Sequence, residues 1–282
     1  MIKPVLGSQL KYGHPLARGL VGYWLINEGS GSIINDLSGN GNTGTLLGPT
    51  WKAGKFGPAL DFEEDNSDYV VLPDTLFDKF TGATGITIIT SLKRGSTEGA
   101  NSHRVFSMPL SGALVGSDKI HFEFDDDKLE WQAAVARGDE GVITSAGTFT
   151  DTSAWLHIAC TADLISVSNN LNFYLNGVLN TTGSKNYTTK AFDSDWRTGL
   201  SALNISSREN APARDRYFDG LIEYFYLFNR ALSAFEIAKL YQYPFCMFKD
   251  PAEIALLGGN QGAPPETIVP QIQYLRNMGV LA

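Results

Sequence analysis

The chain has few charges and no long apolar run. Of its 282 residues only 18% are charged, and 30 acidic against 22 basic side chains give a net charge of −8. This balance argues against a groove for nucleic acid, because binding to phosphates requires clustered lysine and arginine. No apolar stretch approaches the length that crosses a bilayer, so we expect no insertion into a membrane.

Cysteine and histidine are also scarce. Cys160 lies in an apolar, strand-like run and Cys246 in an aromatic segment, and neither has the spacing of a metal or redox motif. We interpret both as small core residues. The four histidines are scattered, without the spacing of a zinc site or a catalytic triad. His157, between Leu156 and Ile158, is predicted to lie on the inner face of a strand.

The N-terminus lacks the features of a secretory signal, namely a basic region, an apolar stretch and a small-residue cleavage site. We therefore expect the protein to be made in a cytoplasm and not exported by the usual route. Residues 1–18 are predicted to form an extended arm, residues 19–248 a single large domain, and residues 249–282 a linker with a docking or oligomerisation segment.

The residues that are abundant favour β-structure. There are 29 glycines, 43% of the residues are hydrophobic, and short β-branched or aromatic runs alternate with turn signals. Asn176-Gly177 is a strong hairpin signal. Ser233 followed by Glu236 is the capping box of a helix, predicted over 233–242 and ended by Pro244. The pattern predicts an all-β, two-sheet antiparallel sandwich with a short C-terminal helix.

Several ordered motifs resemble the laminin-G-like jelly-roll family of the concanavalin A-like lectin/glucanase superfamily. They are Leu20-Val21-Gly22-Tyr23-Trp24, Asp36 to Thr45, Gly54 to Phe62, Trp155 to Ala159, Phe173 to Gly177, and Phe228 to Ile237. The resemblance covers about residues 16–248 and implies the concanavalin A-like fold. Two flanking segments, His14 to Val21 and Tyr243 to Phe248, look like variants found in phage and prophage virion proteins.

The resemblance also implies a calcium site. The Gly-rich loop with Asp36, Asn40 and Asn42 offers the oxygen ligands that calcium prefers, and Glu223 matches a further family ligand. This chain departs from the family there, because Glu223 replaces the usual Asp and Tyr224 the usual Glu. The alternative is that the loop residues only form turns and hydrogen bonds to the backbone.

Sugar binding and sugar hydrolysis require different residues. Trp51, Trp131 and Trp196 are candidates for a sugar-stacking platform, with a core or rim position as the alternative. Glu123 lies in an acidic strand similar to the catalytic strand of laminarinase-like glucanases, but the second glutamate of that motif is absent and Glu130 lies too far along the strand. A glycosidase needs two carboxyl groups.

These features together predict a non-enzymatic structural protein of a phage virion, a capsid decoration or a tail or fibre component. The sandwich would be displayed on the particle, the flanking segments would contact other virion proteins, and the chain would form a homo-oligomer, with a trimer expected. Cell-surface glycans are the expected external partner. The alternatives are a free carbohydrate-binding lectin module and a glycoside hydrolase.

Overall fold

A computed structural model describes residues 1–97, 102–109, 118–136, 139–166, 170–183, 203–210 and 213–249. Within these ranges the chain forms eighteen strands and one α-helix, with short 3-10 helices at Pro15–Ala17, Glu64–Asn66 and Asp74–Phe80. The first nine strands are β1 Leu20–Trp24, β2 Ile33–Ile34, β3 Gly44–Leu47, β4 Thr50–Ala53, β5 Pro58–Phe62, β6 Tyr69–Leu72, β7 Gly85–Arg94, β8 His103–Pro109 and β9 Asp118–Asp125. The remaining elements are β10 Lys128–Ala136, β11 Asp139–Thr148, β12 Leu156–Asp163, β13 Leu171–Leu175, β14 Val178–Gly183, β15 Leu203–Ile205, β16 Arg208–Asn210, β17 Ala213–Asp215, β18 Gly220–Phe228 and the helix α1 Ala234–Gln242.

Two antiparallel sheets of eight strands form the sandwich. The first sheet has the order β14-β13-β12-β7-β18-β5-β4, with β1 also paired to β18. The second sheet has the order β11-β10-β9-β8-β15-β6-β3-β2, and β16 with β17 forms a separate hairpin. The predicted all-β sandwich with one short C-terminal helix is therefore confirmed.

The first sheet is buried on both of its faces. Its strands alternate, so that Ile88, Ile158 and Phe225 enter an inner core between the sheets, while Ile89 and Tyr226 enter an outer core on the opposite face. The outer core is covered by Ile237 and Leu240 of α1 and by residues of the two flanking segments. This explains why β7 and β18 have almost no exposed residue.

Residues 1–18, which were predicted to form an extended arm, pack on this outer face. Leu10 and Leu16 are buried in the outer core, and Leu10 forms a β-bridge with Phe248. Lys3 is buried as well. Of the predicted C-terminal segment 249–282, only Lys249 lies within the described residues.

Local signals in the sequence fix the helix and one hairpin. Ser233 Oγ accepts a hydrogen bond from the backbone N–H of Glu236, whose side chain accepts one from the Ser233 N–H, as the capping box requires. Asn176 and Gly177 both have positive φ, the conformation of a type I′ turn, between β13 and β14. Both predictions are confirmed. Between β1 and Gly48 the chain also forms β2 and β3, in which Ile33 and Ile34 pair with Thr45 and Gly44.

Candidate functional site

The Asp36 loop is held by hydrogen bonds to its own carboxylate. Asp36 Oδ1 accepts from the backbone N–H groups of Tyr23 and Ser38, at 3.0 and 2.8 Å, and Oδ2 from Ser38 Oγ and the Asn42 N–H. Asn40 and Asn42 both donate their side-chain amides to the Val21 carbonyl. Hydrogen-bond donors surround the Asp36 carboxylate, whereas Asn42 Oδ1 in the same loop is buried without a partner in the described residues. Calcium binding stays a prediction, to be tested by chelation.

Glu223 has partners other than those of the loop. Its carboxylate accepts hydrogen bonds from Ser91 Oγ at 2.7 Å and from the Phe56 N–H at 3.0 Å, and its carbonyl oxygen accepts one from Lys3 Nζ. Burial lowers the pKa of Lys3 to about 7, and the charges of Glu223 and Glu28 oppose that shift. Lys3 Nζ donates three hydrogen bonds, which an ammonium can do and a neutral amine cannot, so these partners indicate the charged form.

The three tryptophans have different positions. Trp131 is fully buried in the inner core and donates to the Thr161 carbonyl, so it cannot stack on a sugar, and its assignment to the binding platform is corrected. Trp51, on the edge strand β4, is half-buried, and its indole N–H donates to the Gly31 carbonyl. It stays a candidate. Trp196 lies outside the described residues.

Glu123 has a carboxylate neighbour that the linear sequence conceals. Because β9 and β10 form a hairpin, Glu130 lies directly opposite Glu123, and His121 Nε2 lies 3.7 and 3.6 Å from these two carboxylates. The expectation that Glu130 lies too far along is therefore wrong. Burial first, and then Glu123, raise the pKa of Glu130.

Two arginines pair with the carboxylate of Glu123, and this does not suit glycoside hydrolysis. Arg104 Nε lies 2.9 Å from one carboxylate oxygen, and Arg216 Nη1 donates to both at 3.0 and 3.1 Å. Glu123 is only 3% exposed, and both of its carboxylate oxygens are engaged by guanidinium groups. His121, Glu123 and Glu130 are close enough to share a metal ion. The two guanidinium charges beside them neutralise the carboxylates, and this does not favour a cation.

A pocket lies on the outer face of the first sheet, next to the end of α1. Its volume is about 320 Å³, which is within the range of small-molecule sites. Adjacent strands β12, β7 and β18 place His157, Ser91 and Tyr224 in register across the sheet. We call this the helix pocket. It is lined by Met1, Lys55, Phe56, Ser91, His157, Tyr224, Tyr241, Gln242 and Pro244.

His157 is the unusual member of the helix pocket. It lies on the outer face of β12, not on the inner face as predicted, and its ring contacts Tyr241 at a centroid distance of 5.4 Å. Within the described part of the chain, neither ring nitrogen has a hydrogen-bond partner. Burial lowers the pKa of His157 to about 3, so the imidazole is neutral near pH 7. The sequence signal that was missed is the alternation of side chains along β12, which places His157 on the face opposite to that of Ile158.

The comparisons agree with this architecture. The family model of the concanavalin A-like lectin/glucanases superfamily, laminin G type, matches residues 64–238, more than half of the chain. The chain belongs to this superfamily. No curated protein matches its sequence. No helix in the described residues of this superfamily member is long and apolar enough to span a membrane.

Several solved structures share the fold of this laminin-G-type chain. The binding domain of Paraclostridial Mosquitocidal Protein 1 has a TM-score of 0.63 at 16% identity, over 82% of this chain and 53% of that one. The botulinum neurotoxin serotype G binding domain has a TM-score of 0.58 at 14% identity, over 80% and 51%. A structure of botulinum neurotoxin type C, whose entry into cells is described as dependent on interaction with two ganglioside molecules, has a TM-score of 0.54 at 14% identity. The match covers 80% of this chain and 51% of that one. The chain thus spans about half of each, and these neighbours are binding domains.

Proposed function

We propose that the chain is a non-enzymatic, lectin-like module that binds a neutral sugar residue in the helix pocket. The observation that carries the proposal is His157, a buried neutral imidazole without a hydrogen-bond partner in the described residues, on the wall of a pocket of about 320 Å³. A buried polar group left without a partner costs about 1–3 kcal/mol. Both ring nitrogens are closed to solvent, so a ligand recovers this cost when a side chain at the pocket rim, such as Tyr241, moves aside.

The chemistry of the pocket wall suits a sugar. Phe56, Tyr224 and Tyr241 offer aromatic surface for the apolar face of a sugar ring, while Ser91 and Gln242 carry polar groups. A neutral imidazole has one donor and one acceptor, as hydroxyl groups require. The negative charge of Glu223, which bonds to Ser91, and the positive charge of Lys55, which lines the pocket, offset each other, and this suits a neutral ligand.

Isothermal titration with neutral hexoses and N-acetylhexosamines, supported by a glycan array, tests the proposal. We expect saturable binding of at least one sugar, in the millimolar range typical of a small site. Tyr241→Ala should weaken it at least tenfold because the substitution removes one aromatic wall. Tyr243→Ala is the matched control, since Tyr243 is also an exposed tyrosine at the helix end but does not line the pocket. No binding to the array or to any of these sugars would exclude this function.

We further propose that the module is part of a phage virion and forms a homo-oligomer there, with a trimer expected. The observation that favours this is that the two virion-like segments pack in the same outer core, Leu16 and Leu20 from the first and Met247 and Phe248 from the second. Next to them, the arm bonds to the C-terminal segment, since Lys11 N–H donates to the Met247 carbonyl at 2.7 Å and Lys249 N–H to the Gln9 carbonyl at 2.8 Å. Both segments therefore lie on one layer, where a single attachment to capsid or tail proteins can hold the sandwich.

Light scattering of the purified chain and mass spectrometry of purified particles test the virion role. We expect a mass of three times 30.7 kDa and the presence of the chain in the particles. A monomer that is also absent from particles would contradict the proposal without affecting the sugar-binding result.

A further inference from the structure

Three backbone carbonyls converge on the side chain of Lys3. Lys3 Nζ donates to the Ile26 carbonyl at 2.9 Å and also to the carbonyls of Pro58 and Glu223. The three acceptors come from different parts of the first sheet, after β1, at the start of β5 and within β18. Lys3 is only 6% exposed, so the ammonium is enclosed by these oxygens. We call this group of oxygens the carbonyl cradle.

The backbone around the cradle departs from regular structure at two of its three carbonyls. Ile26 has φ of 52°, in the left-handed region that a β-branched residue rarely adopts, and it is buried. The pairing of β18 with β7 is irregular between Ile222 and Tyr224, that is, at Glu223. Strained backbone persists where the surroundings require it, and here both irregular residues present their carbonyl oxygens to Lys3.

Two carboxylates act on the carbonyl cradle through their charge. Glu28 Oε1 accepts hydrogen bonds from the N–H and the side-chain amide of Asn35, but Glu28 Oε2 is buried without a partner in the described residues. The negative charges of Glu28 and Glu223 both act on Lys3. Backbone carbonyls together with acidic side chains are the ligand set of a hard divalent cation such as calcium.

We infer that the carbonyl cradle is a divalent-cation site which the chain fills with its own Lys3 ammonium, and that the cradle binds Ca²⁺ when this side chain is removed. Calcium–oxygen distances are about 2.3–2.6 Å, so the oxygens need to move by only a few tenths of an ångström from their positions around the ammonium. The resemblance assigned Glu223 to a calcium site shared with Asp36. In the structure Glu223 belongs instead to the cradle, and Lys3 takes the place of the ion.

The experiment compares the wild type with Lys3→Ala in thermal melts with EDTA and with CaCl₂. Lys3→Ala should bind one more Ca²⁺ than the wild type in equilibrium dialysis, so that any ion at the Asp36 loop cancels in the comparison. Lys3→Ala should melt lower than the wild type in EDTA, and Ca²⁺ at about 100 times its Kd should raise its melting temperature by about 5 °C more than that of the wild type. Adding Glu28→Gln to Lys3→Ala should reduce this calcium response.

Lys52→Ala is the matched control, because Lys52 is an exposed lysine paired with Asp61. Its melting temperature should respond to Ca²⁺ as that of the wild type does. If Lys3→Ala is recovered only unfolded, refolding from urea replaces the melt, and refolding with Ca²⁺ but not with EDTA supports the inference. One Ca²⁺ bound to the wild-type cradle, a folded Lys3→Ala without a calcium response, or a variant that refolds in neither condition would overturn it.

Discussion

At the scale of single residues, His157 couples the stability of the fold to pH. Its folded pKa of about 3 lies below the ordinary value of 6.5 because burial disfavours the imidazolium. At pH values between these two pKa values, His157 of the unfolded chain binds a proton that His157 of the folded chain does not. The free energy of unfolding therefore falls as the pH falls below about 6.5. The loss is complete near pH 3, and each unit of pH within the window corresponds to about 1.4 kcal/mol.

We predict that His157→Gln removes this dependence. The free energy of unfolding of the wild type minus that of His157→Gln should fall by about 2 kcal/mol between pH 6.5 and 4.5, and stay nearly constant from pH 7 to 8. Urea denaturation at each pH measures both. The carboxyl groups titrate in both proteins and cancel in the difference. A difference that does not vary with pH would show that His157 is protonated equally in both states.

Little of the candidate site could be predicted from the sequence. The acidic strand identified Glu123 as a candidate. Its neighbour Glu130 lies opposite it only because β9 and β10 form a hairpin, and Arg104 and Arg216 come from two further segments. Lys3 is an ordinary lysine in the sequence and acquires its surroundings from residues up to 220 positions away. Contacts at such separations depend on the tertiary register, which no local pattern encodes.

At the scale of elements, α1 depends on its capping box. Ser233 and Glu236 satisfy each other's backbone N–H groups, and Glu236 also accepts from two guanidinium nitrogens of Arg230, at 3.0 and 2.7 Å. A helix of nine residues is too short to be stable alone, so the cap and the packing of Ile237 and Leu240 on the outer core hold it in place. The helix in turn supplies Tyr241 and Gln242 to the helix pocket.

We predict that Ser233→Ala destabilises the protein by about 1 kcal/mol, the usual cost of a lost N-cap, and weakens sugar binding in the helix pocket. Denaturant titration gives the first effect and isothermal titration the second. Phe235→Ala is the control, because Phe235 is a helix residue that is 77% exposed, and it should change neither. Unchanged stability of Ser233→Ala would show that packing alone fixes the helix.

At the scale of the whole molecule, the sandwich and the helix were predictable because their signals are local. Alternating apolar residues, turn dipeptides and a capping box lie within a few positions of one another, and they predicted the fold class, the hairpin at Asn176 and the limits of α1 to within one residue. The outer layer was not predicted. Arm residues such as Leu10 show no periodicity, and they are buried only because the outer face of the first sheet is apolar as well.

This arrangement makes the two cores one cooperative unit, since β7, β12 and β18 contribute side chains to both. We predict that Phe106→Ala in the inner core and Met247→Ala in the outer core each cost about 3 kcal/mol, as large-to-small changes at fully buried sites do. Both should lower the midpoint of one shared transition, with far-ultraviolet and near-ultraviolet circular dichroism melting together. Their effects should add to within about 0.5 kcal/mol, because the two residues lie in separate cores. If Met247→Ala instead melts in two steps, the arm and α1 form an independent layer, and the helix pocket between them and the sheet would open before the sandwich unfolds.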